Sequence, residues 1–378
     1  MLIRILILFL LSDITFAKVF DLPYDMKLDV KGYAGYKYIT GTSATNFLPS
    51  IPEAGGLLNL QVNEHLSLYN QVVYSQNDGK FSPMGSLAYS FAALDFDVFK
   101  DANFTLRAGR LRHDVGLYNN IRLNPRTRQG VVMPQSIYWD SLNLILISGD
   151  GINVAFKFKG LEINYTIDAP IIHDKLEEAN VWAPHLLNTV ETSFGSHQLI
   201  STAYEFDTFP LRIKADWATL NLGSNYTTAF KRAYPSYINK DMSNEIVTAG
   251  IEYKGSNLTL AAETLIFKPV TSNWSETNRL STGYSYTASY AITDEVTGRV
   301  NYNEFDSQSN SNKGFHPNYA YAKDFNVGLV WHKDNWQVGA EIHKIKGGRW
   351  VNHDDFDNNP SSYTNWYMFA TNIVYFFD

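Results

Sequence analysis

After residue 26 the chain repeats one short theme, in which apolar and polar residues alternate for a strand's length before a turn or loop intervenes. A period of two sends successive side chains to opposite faces of a β-strand. Directly after Pro210, Leu211, Ile213, Ala215 and Trp217 share one face while Arg212, Lys214 and Asp216 share the other. From Gly151 to Lys159 the split is Ile152, Val154, Phe156 and Phe158 against Asn153, Lys157 and Lys159. Gly160 then turns the chain into Leu161, Ile163, Tyr165 and Ile167 against Glu162, Asn164, Thr166 and Asp168. A first strand from Lys27 to Tyr38 sets Leu28, Val30, Ala34 and Tyr36 against Lys27, Asp29, Lys31 and Lys37. The fifteenth sets Trp336, Val338, Ala340 and Ile342 against Gln337, Glu341 and His343, and the last places Phe369, Thr371, Ile373, Tyr375 and Phe377 together.

Counted this way the chain predicts 16 strands, with 14 or 18 as the neighbouring even counts because the second and eighth are weak. Short turns fall at Asn63-Glu64-His65, Lys100 to Asn103, Gly160, Asp207 to Pro210, Lys254 to Asn257, Thr293 to Glu295 and Lys333 to Asn335. Longer connections fall at 39 to 54, 75 to 86, 112 to 149, 169 to 196, 221 to 244, 269 to 280, 306 to 320 and 347 to 364. Strands with one greasy and one wet face can cross a bilayer only as a closed sheet, because hydrocarbon offers no partner to an unpaired N–H or C=O. The predicted fold is therefore all-β: a transmembrane antiparallel β-barrel, closed by pairing its last strand with its first. Short turns lie on the periplasmic rim and long loops on the extracellular one.

The first residues set the compartment. Arg4, the apolar run Ile5 to Leu11 and Thr15-Phe16-Ala17 form a cleavable signal-peptide pattern over 1–17, which leaves 18–378 as one barrel domain in the outer membrane. The apolar run is too short for a spanning helix, which needs roughly 20 residues. Aromatics make up 15% of the chain, with 24 Tyr, 23 Phe and 8 Trp, many near predicted strand ends as in interfacial girdles. There are no cysteines, which excludes disulfides and thiolate metal sites. A formal net charge of −7 argues against nucleic acid as a partner.

The strand ledger and the aromatic terminal strand Met368 to Phe377 resemble those of Gram-negative outer-membrane porins of the 16-stranded type, over essentially the whole mature chain. The run from Arg107-Ala108-Gly109-Arg110 through Pro134-Gln135-Ser136-Ile137-Tyr138 to Gly149-Asp150-Gly151 is similar to a stretch of porin-like proteins from marine and related bacteria. The resemblance implies an assembly signal at Tyr375 and Phe377 read by barrel-assembly machinery, although Asp378 follows where the family ends on the aromatic. It also implies a homotrimer, contact with lipid and lipopolysaccharide, and a third long loop, residues 112 to 149, folded into the lumen as a constriction.

That loop carries the candidate chemistry. Of 12 Arg in the chain, six lie between 107 and 128: Arg107, Arg110, Arg112, Arg122, Arg126 and Arg128. Guanidinium groups in a constriction raise the local potential and favour anions. Parity turns Arg107 to the lumen, while Gly109 leaves the directions of Arg110 and Arg112 open if it marks a bulge. The plainer reading is that these side chains bond loop carbonyls or wall carboxylates such as Glu162 and Asp168. Further lumen-wall candidates are Lys157, Lys159, Arg212, Lys214, Arg299, Glu263 and Glu341, most of them expected in any wet barrel.

Other motifs fail. The run His353 to Asn359 offers carboxylates, but Pro360 and Trp366 stand where an EF-hand needs Gly and Glu. The nine His residues show no close ligand spacing, so no zinc site and no cofactor is expected. Gly149-Asp150-Gly151 lacks the helix and the Lys-Ser/Thr pair of a phosphate loop. Serines abound without a nucleophile elbow, which counts against an outer-membrane enzyme. The expected function is passive diffusion of small hydrophilic solutes, with an anion preference. The alternatives are a specific channel for phosphate, sugar acids or a siderophore, and, from another class, an adhesin or enzymatic barrel.

Overall fold

The computed structural model describes residues 18–42, 51–75, 86–128, 130–138, 148–169, 190–194, 196–226, 240–271, 280–307, 321–348 and 364–377. The expected leader at 1–17, the run His353 to Asn359 and Asp378 lie outside the described residues. Eighteen strands follow in chain order: β1 (Lys18–Asp21), β2 (Lys27–Gly41), β3 (Ile51–Gln61), β4 (Leu66–Ser75), β5 (Ser86–Phe99), β6 (Ala102–Arg112), β7 (Ser148–Phe158), β8 (Leu161–Ala169), β9 (Val190–Phe194), β10 (His197–Glu205), β11 (Leu211–Tyr226), β12 (Lys240–Lys254), β13 (Leu258–Thr271), β14 (Ser281–Ala291), β15 (Val296–Ser307), β16 (Tyr321–Lys333), β17 (Trp336–Lys346) and β18 (Trp366–Phe377). β9 and β10 run in succession along β11 as one wall strand, and β1 continues the line of β18 along β2, so the closed antiparallel barrel has 16 staves.

Among the described residues closure leaves no long open edge. β18 pairs with β2 from Met368 opposite Gly41 to Phe377 opposite Gly32. Below that point β1 takes over the same edge, from Lys18 opposite Val30 to Asp21 opposite Lys27. β1 is absent from the sequence reading because four residues are too few to show a period. The chain reverses between β1 and β2 through a short 3-10 turn at Pro23–Asp25, where Tyr24 has φ 63°.

The two faces separate as the alternation requires. Ile152, Tyr286, Leu329 and Ile342 point outward and are each more than half exposed, in an apolar belt that suits hydrocarbon rather than water. Asn301, Asn326, Thr248 and Asn372 point inward and are buried. Aromatic pairs mark the turn-side ends of strands: Trp336 with Tyr375 at 4.9 Å, Tyr375 with Phe377 at 5.2 Å, and Phe209 with Tyr253 at 5.5 Å between ring centroids. Tyr375 and Phe377 thus lie on the outward parity of the closing strand.

One wall assignment is corrected. Lys159 is not on a strand: β7 ends at Phe158, and Lys159 takes the left-handed φ of 50° that the tight turn before Gly160 demands. Its ammonium sits over the Phe158 ring, 5.3 Å from the centroid, at the turn-side rim.

Candidate functional site

The residues that follow β6 do not rise over the rim. They turn inward and cross the lumen, and the wall meets them with carboxylates. Asp216 on β11 accepts the Gly116 N–H at 2.7 Å, and Glu263 on β13 accepts the Leu117 N–H at 2.6 Å. Glu252 on β12 accepts the Tyr118 hydroxyl at 2.7 Å. Further along, Glu341 on β17 takes the Val131 and Val132 N–H groups, one per oxygen, each at 3.0 Å. A segment without regular structure has orphan N–H groups, and a buried carboxylate with two acceptor oxygens satisfies them while being stabilised itself.

Further contacts tie the segment to β2, β3 and β17, and its start to β11. Arg128 donates through both Nη atoms to Glu53 on β3, at 2.8 and 3.2 Å. Tyr33 on β2 donates to the Leu123 carbonyl at 2.7 Å, and the Gln337 side-chain amide on β17 donates to the Pro125 carbonyl at 3.1 Å. Lys214, buried on β11, reaches Asp114 Oδ1 at 2.7 Å and the Gly116 carbonyl at 2.6 Å, with Asp216 at 3.5 Å. Residues 113 to 138 are therefore anchored to strands on both sides of the barrel.

An apolar cluster backs these ties. Val115, Leu117, Tyr118, Met133, Ile137 and Tyr138 pack on Leu199, Ala218, Leu220, Ile246, Ala261, Leu265 and Phe305. Those wall residues stand on the inward parity of β10 to β13 and β15, where the alternation calls for polar groups. The Tyr138 hydroxyl donates to Glu263 at 2.6 Å and accepts the Tyr118 N–H at 2.8 Å. Burial, reinforced by the Glu263 carboxylate, holds the Tyr138 phenol well above its ordinary pKa, so it stays a donor.

Gly130 shows how close the approach is. It has φ 97°, and a Cβ there would collide with the Arg299 guanidinium and the Glu341 carboxylate. Arg299 on β15 lies 3.5 Å from Glu341, so its charge is matched beneath the segment.

The six loop arginines are spread among distinct partners. Arg107 faces the lumen and donates to Asn153 at 2.9 Å. Arg112, at the end of β6, donates to Gln71 and lies over the Tyr89 ring, 4.6 Å from its centroid. Arg122 is buried, within 3.2 Å of Asn119 Oδ1 and 5.9 Å of the Tyr138 ring centroid. Arg126 is exposed over the Phe376 ring at 4.2 Å.

Arg110 requires a correction. Gly109 has φ 129°, yet the ladder from β6 to β7 runs through it without a slip, so there is no bulge. Arg110 therefore keeps the parity of Asp150 and Ile152, points to the outer face, and pairs with Asp150 at 2.9 Å. On the wall, Arg212 lies 3.6 Å from Glu205 near the turn-side rim. Lys157, Glu162 and Asp168 hold the inward parity.

Sequence reasoning missed the wall carboxylates as anchors for the segment, and it missed a buried group of His113, Asp168 and His197. The available signal for the anchors was the breach of alternation at Leu199, Leu220, Ile246, Leu265 and Phe305, which marks a wall that packs against something.

No family model matches the chain, and no curated protein matches it in sequence. Solved structures do share its architecture. The trimer form of OmpT, an outer membrane protein of Vibrio cholerae, aligns with TM-score 0.57 at 11% identity over 93% of this chain and 99% of its own. Salmonella typhi OmpF, in complex with daunomycin, gives 0.58 at 15% over 93% and 97%. An anion-selective porin from Comamonas acidovorans gives 0.55 at 12% over 93% and 99%. At such identities the likeness speaks to architecture, and it shows that this chain adopts the closed 16-strand barrel seen in outer-membrane porins.

Proposed function

We propose that the protein is an outer-membrane channel through which small hydrophilic solutes diffuse passively, and that it performs no catalysis. The observation that carries this reading is the segment 113 to 138, held across a polar lumen by Asp216, Glu252, Glu263, Glu341 and Glu53 inside an apolar outer belt. A barrel that served only as a scaffold for surface loops has no need of an internal crosspiece anchored at so many points. Its solved likenesses with porins support the same reading.

The selectivity we propose is a weak anion preference. Glu263, Glu341 and Glu252 are buried and spend their oxygens on segment donors and wall partners. Arg126 is exposed and Arg107 half-buried, so cationic groups meet the solute path while these acids are covered. Under a KCl gradient in planar bilayers, the reversal potential is expected on the chloride side and shifts toward zero in Arg107→Gln/Arg126→Gln. A cation-selective current unchanged by that pair would overturn the assignment.

The outer face supports a homotrimer. Asn70, Ser90, Arg110 and Asp150 stand side by side on the outward parity of β4 to β7, joined by Ser90 to Asn70 at 2.6 Å and Arg110 to Asp150 at 2.9 Å. Polar groups facing hydrocarbon are costly, and a subunit contact removes the cost. Arg110→Glu, which places two acids together there, is expected to convert trimer to monomer in light scattering of the detergent-solubilised protein.

A further inference from the structure

His113, Asp168 and His197 come from three separated parts of the chain: the first residue after β6, the loop-side end of β8, and the start of β10. The sheet register places His197 directly opposite Asp168. The inward turn after Arg112 then brings His113 Nε2 against Asp168 Oδ2. His197 Nδ1 lies 3.6 Å from Asp168 Oδ1, and the two imidazole centroids are 6.2 Å apart. One donor atom from each residue falls within 4.8 Å of the others.

The group is buried and incompletely satisfied. His197 is 3% exposed, yet neither of its ring nitrogens has a hydrogen-bond partner among the described residues, and neither does Asp168 Oδ1. Burying polar atoms unpaired is costly, so such a cluster is an unusual way to fill a barrel wall. Space is kept clear beside it as well. Gly149 on β7 faces Asp168, and a Cβ there would lie 2.5 Å from the carboxylate carbon.

We propose that these three residues form a binding site for a divalent transition-metal ion of the zinc, copper or nickel type. Two imidazoles with one carboxylate suit borderline ions, whereas calcium and magnesium prefer all-oxygen shells. Donors around a tetrahedral ion at about 2.1 Å stand roughly 3.4 Å apart, so a small inward shift of His197 closes the set, with water as fourth ligand. Bound there, the ion replaces the His113 to Asp168 contact and gives the orphan atoms of His197 and Asp168 a common partner. It also clips the root of segment 113 to 138 to β8 and β10, on the far side of the barrel from the Glu341 anchor.

The test uses the full barrel folded in detergent and stripped with chelator. Titration with Zn²⁺ by calorimetry is expected to give one equivalent per chain. Co²⁺ as a spectroscopic probe is expected to develop visible d–d bands of a low-coordinate nitrogen and oxygen site. His197→Gln and His113→Gln, each checked for the folded form by heat-modifiability on a gel, should both lose the equivalent and the bands. His332→Gln, at a histidine on another part of the wall, should keep them. No stoichiometric binding to the wild type, or binding undiminished in both folded His→Gln variants, would overturn the proposal.

Discussion

At the residue scale the account rests on carboxylates that serve as acceptors for backbone. Glu341 is the most heavily used: it takes two successive N–H groups from the segment, faces Arg299, and lies 3.4 Å from His343. Glu341→Ala removes the carboxylate that accepts both the Val131 and Val132 N–H groups and leaves the buried Arg299 charge without its 3.5 Å partner. Breaking a buried pair in this way costs about 3–5 kcal/mol. The expected outcome is a clear fall in the temperature at which the folded band on a gel converts to the unfolded one. Gly130→Ala should act in the same direction without any change of charge, since the left-handed φ and the crowding by Arg299 and Glu341 both oppose a side chain. An unchanged transition temperature in both variants would show that the crosspiece is not anchored at this end.

At the element scale the controlling quantity is parity. Ile251 on β12 points outward and is 43% exposed, while its neighbour Glu252 points inward and is buried. Ile251→Asp puts a charge in the apolar belt, where the cost rises with depth toward a few kcal/mol; the folded yield should drop sharply. Gln61→Asp should be far better tolerated, because Gln61 holds the inward parity of β3, is exposed and stands opposite Lys27. Parity is also what made the wall legible in the sequence. Turns at Asn63 to His65, Lys254 to Asn257 and Lys333 to Asn335 fall where the strands change, and the outward sets of β7, β8, β17 and β18 match the alternation residue by residue. The reading failed where local periodicity carries no information. β1 is too short to show a pattern, and Lys159 looked like a wall residue because its alternation continued one step into a turn. Arg110 was ambiguous because a glycine inside a strand, as at Gly109, is compatible with either a bulge or an unbroken ladder.

At the scale of the whole molecule the alternation reveals the wall, and the resemblance to porins puts the third long loop in the lumen, but neither reveals the contacts that hold it there. The clustering of arginines between 107 and 128 drew attention to the right segment, yet their partners Glu53, Asn153 and Gln71 are distant in sequence and are chosen by tertiary packing. The trio of His113, Asp168 and His197 was invisible for the same reason: ligand-spacing rules look along a chain, and these residues meet only once β8 and β10 pair. Inward apolar residues at the loop ends of β10 to β13 and β15 are the exception, a tertiary contact written in a local irregularity. They pack Leu117 and Tyr138 against the wall, so the segment is fixed by apolar burial as well as by hydrogen bonds.

The most direct test of the central claim is the single-channel current of the purified protein in planar bilayers, compared with a variant in which residues 116 to 136 are replaced by a short Gly-Ser linker. The account predicts discrete ohmic steps from the wild type and steps several-fold larger from the variant, because the crosspiece occupies the solute path. No current from either protein would contradict a channel, and equal conductance from both would contradict the segment as its constriction.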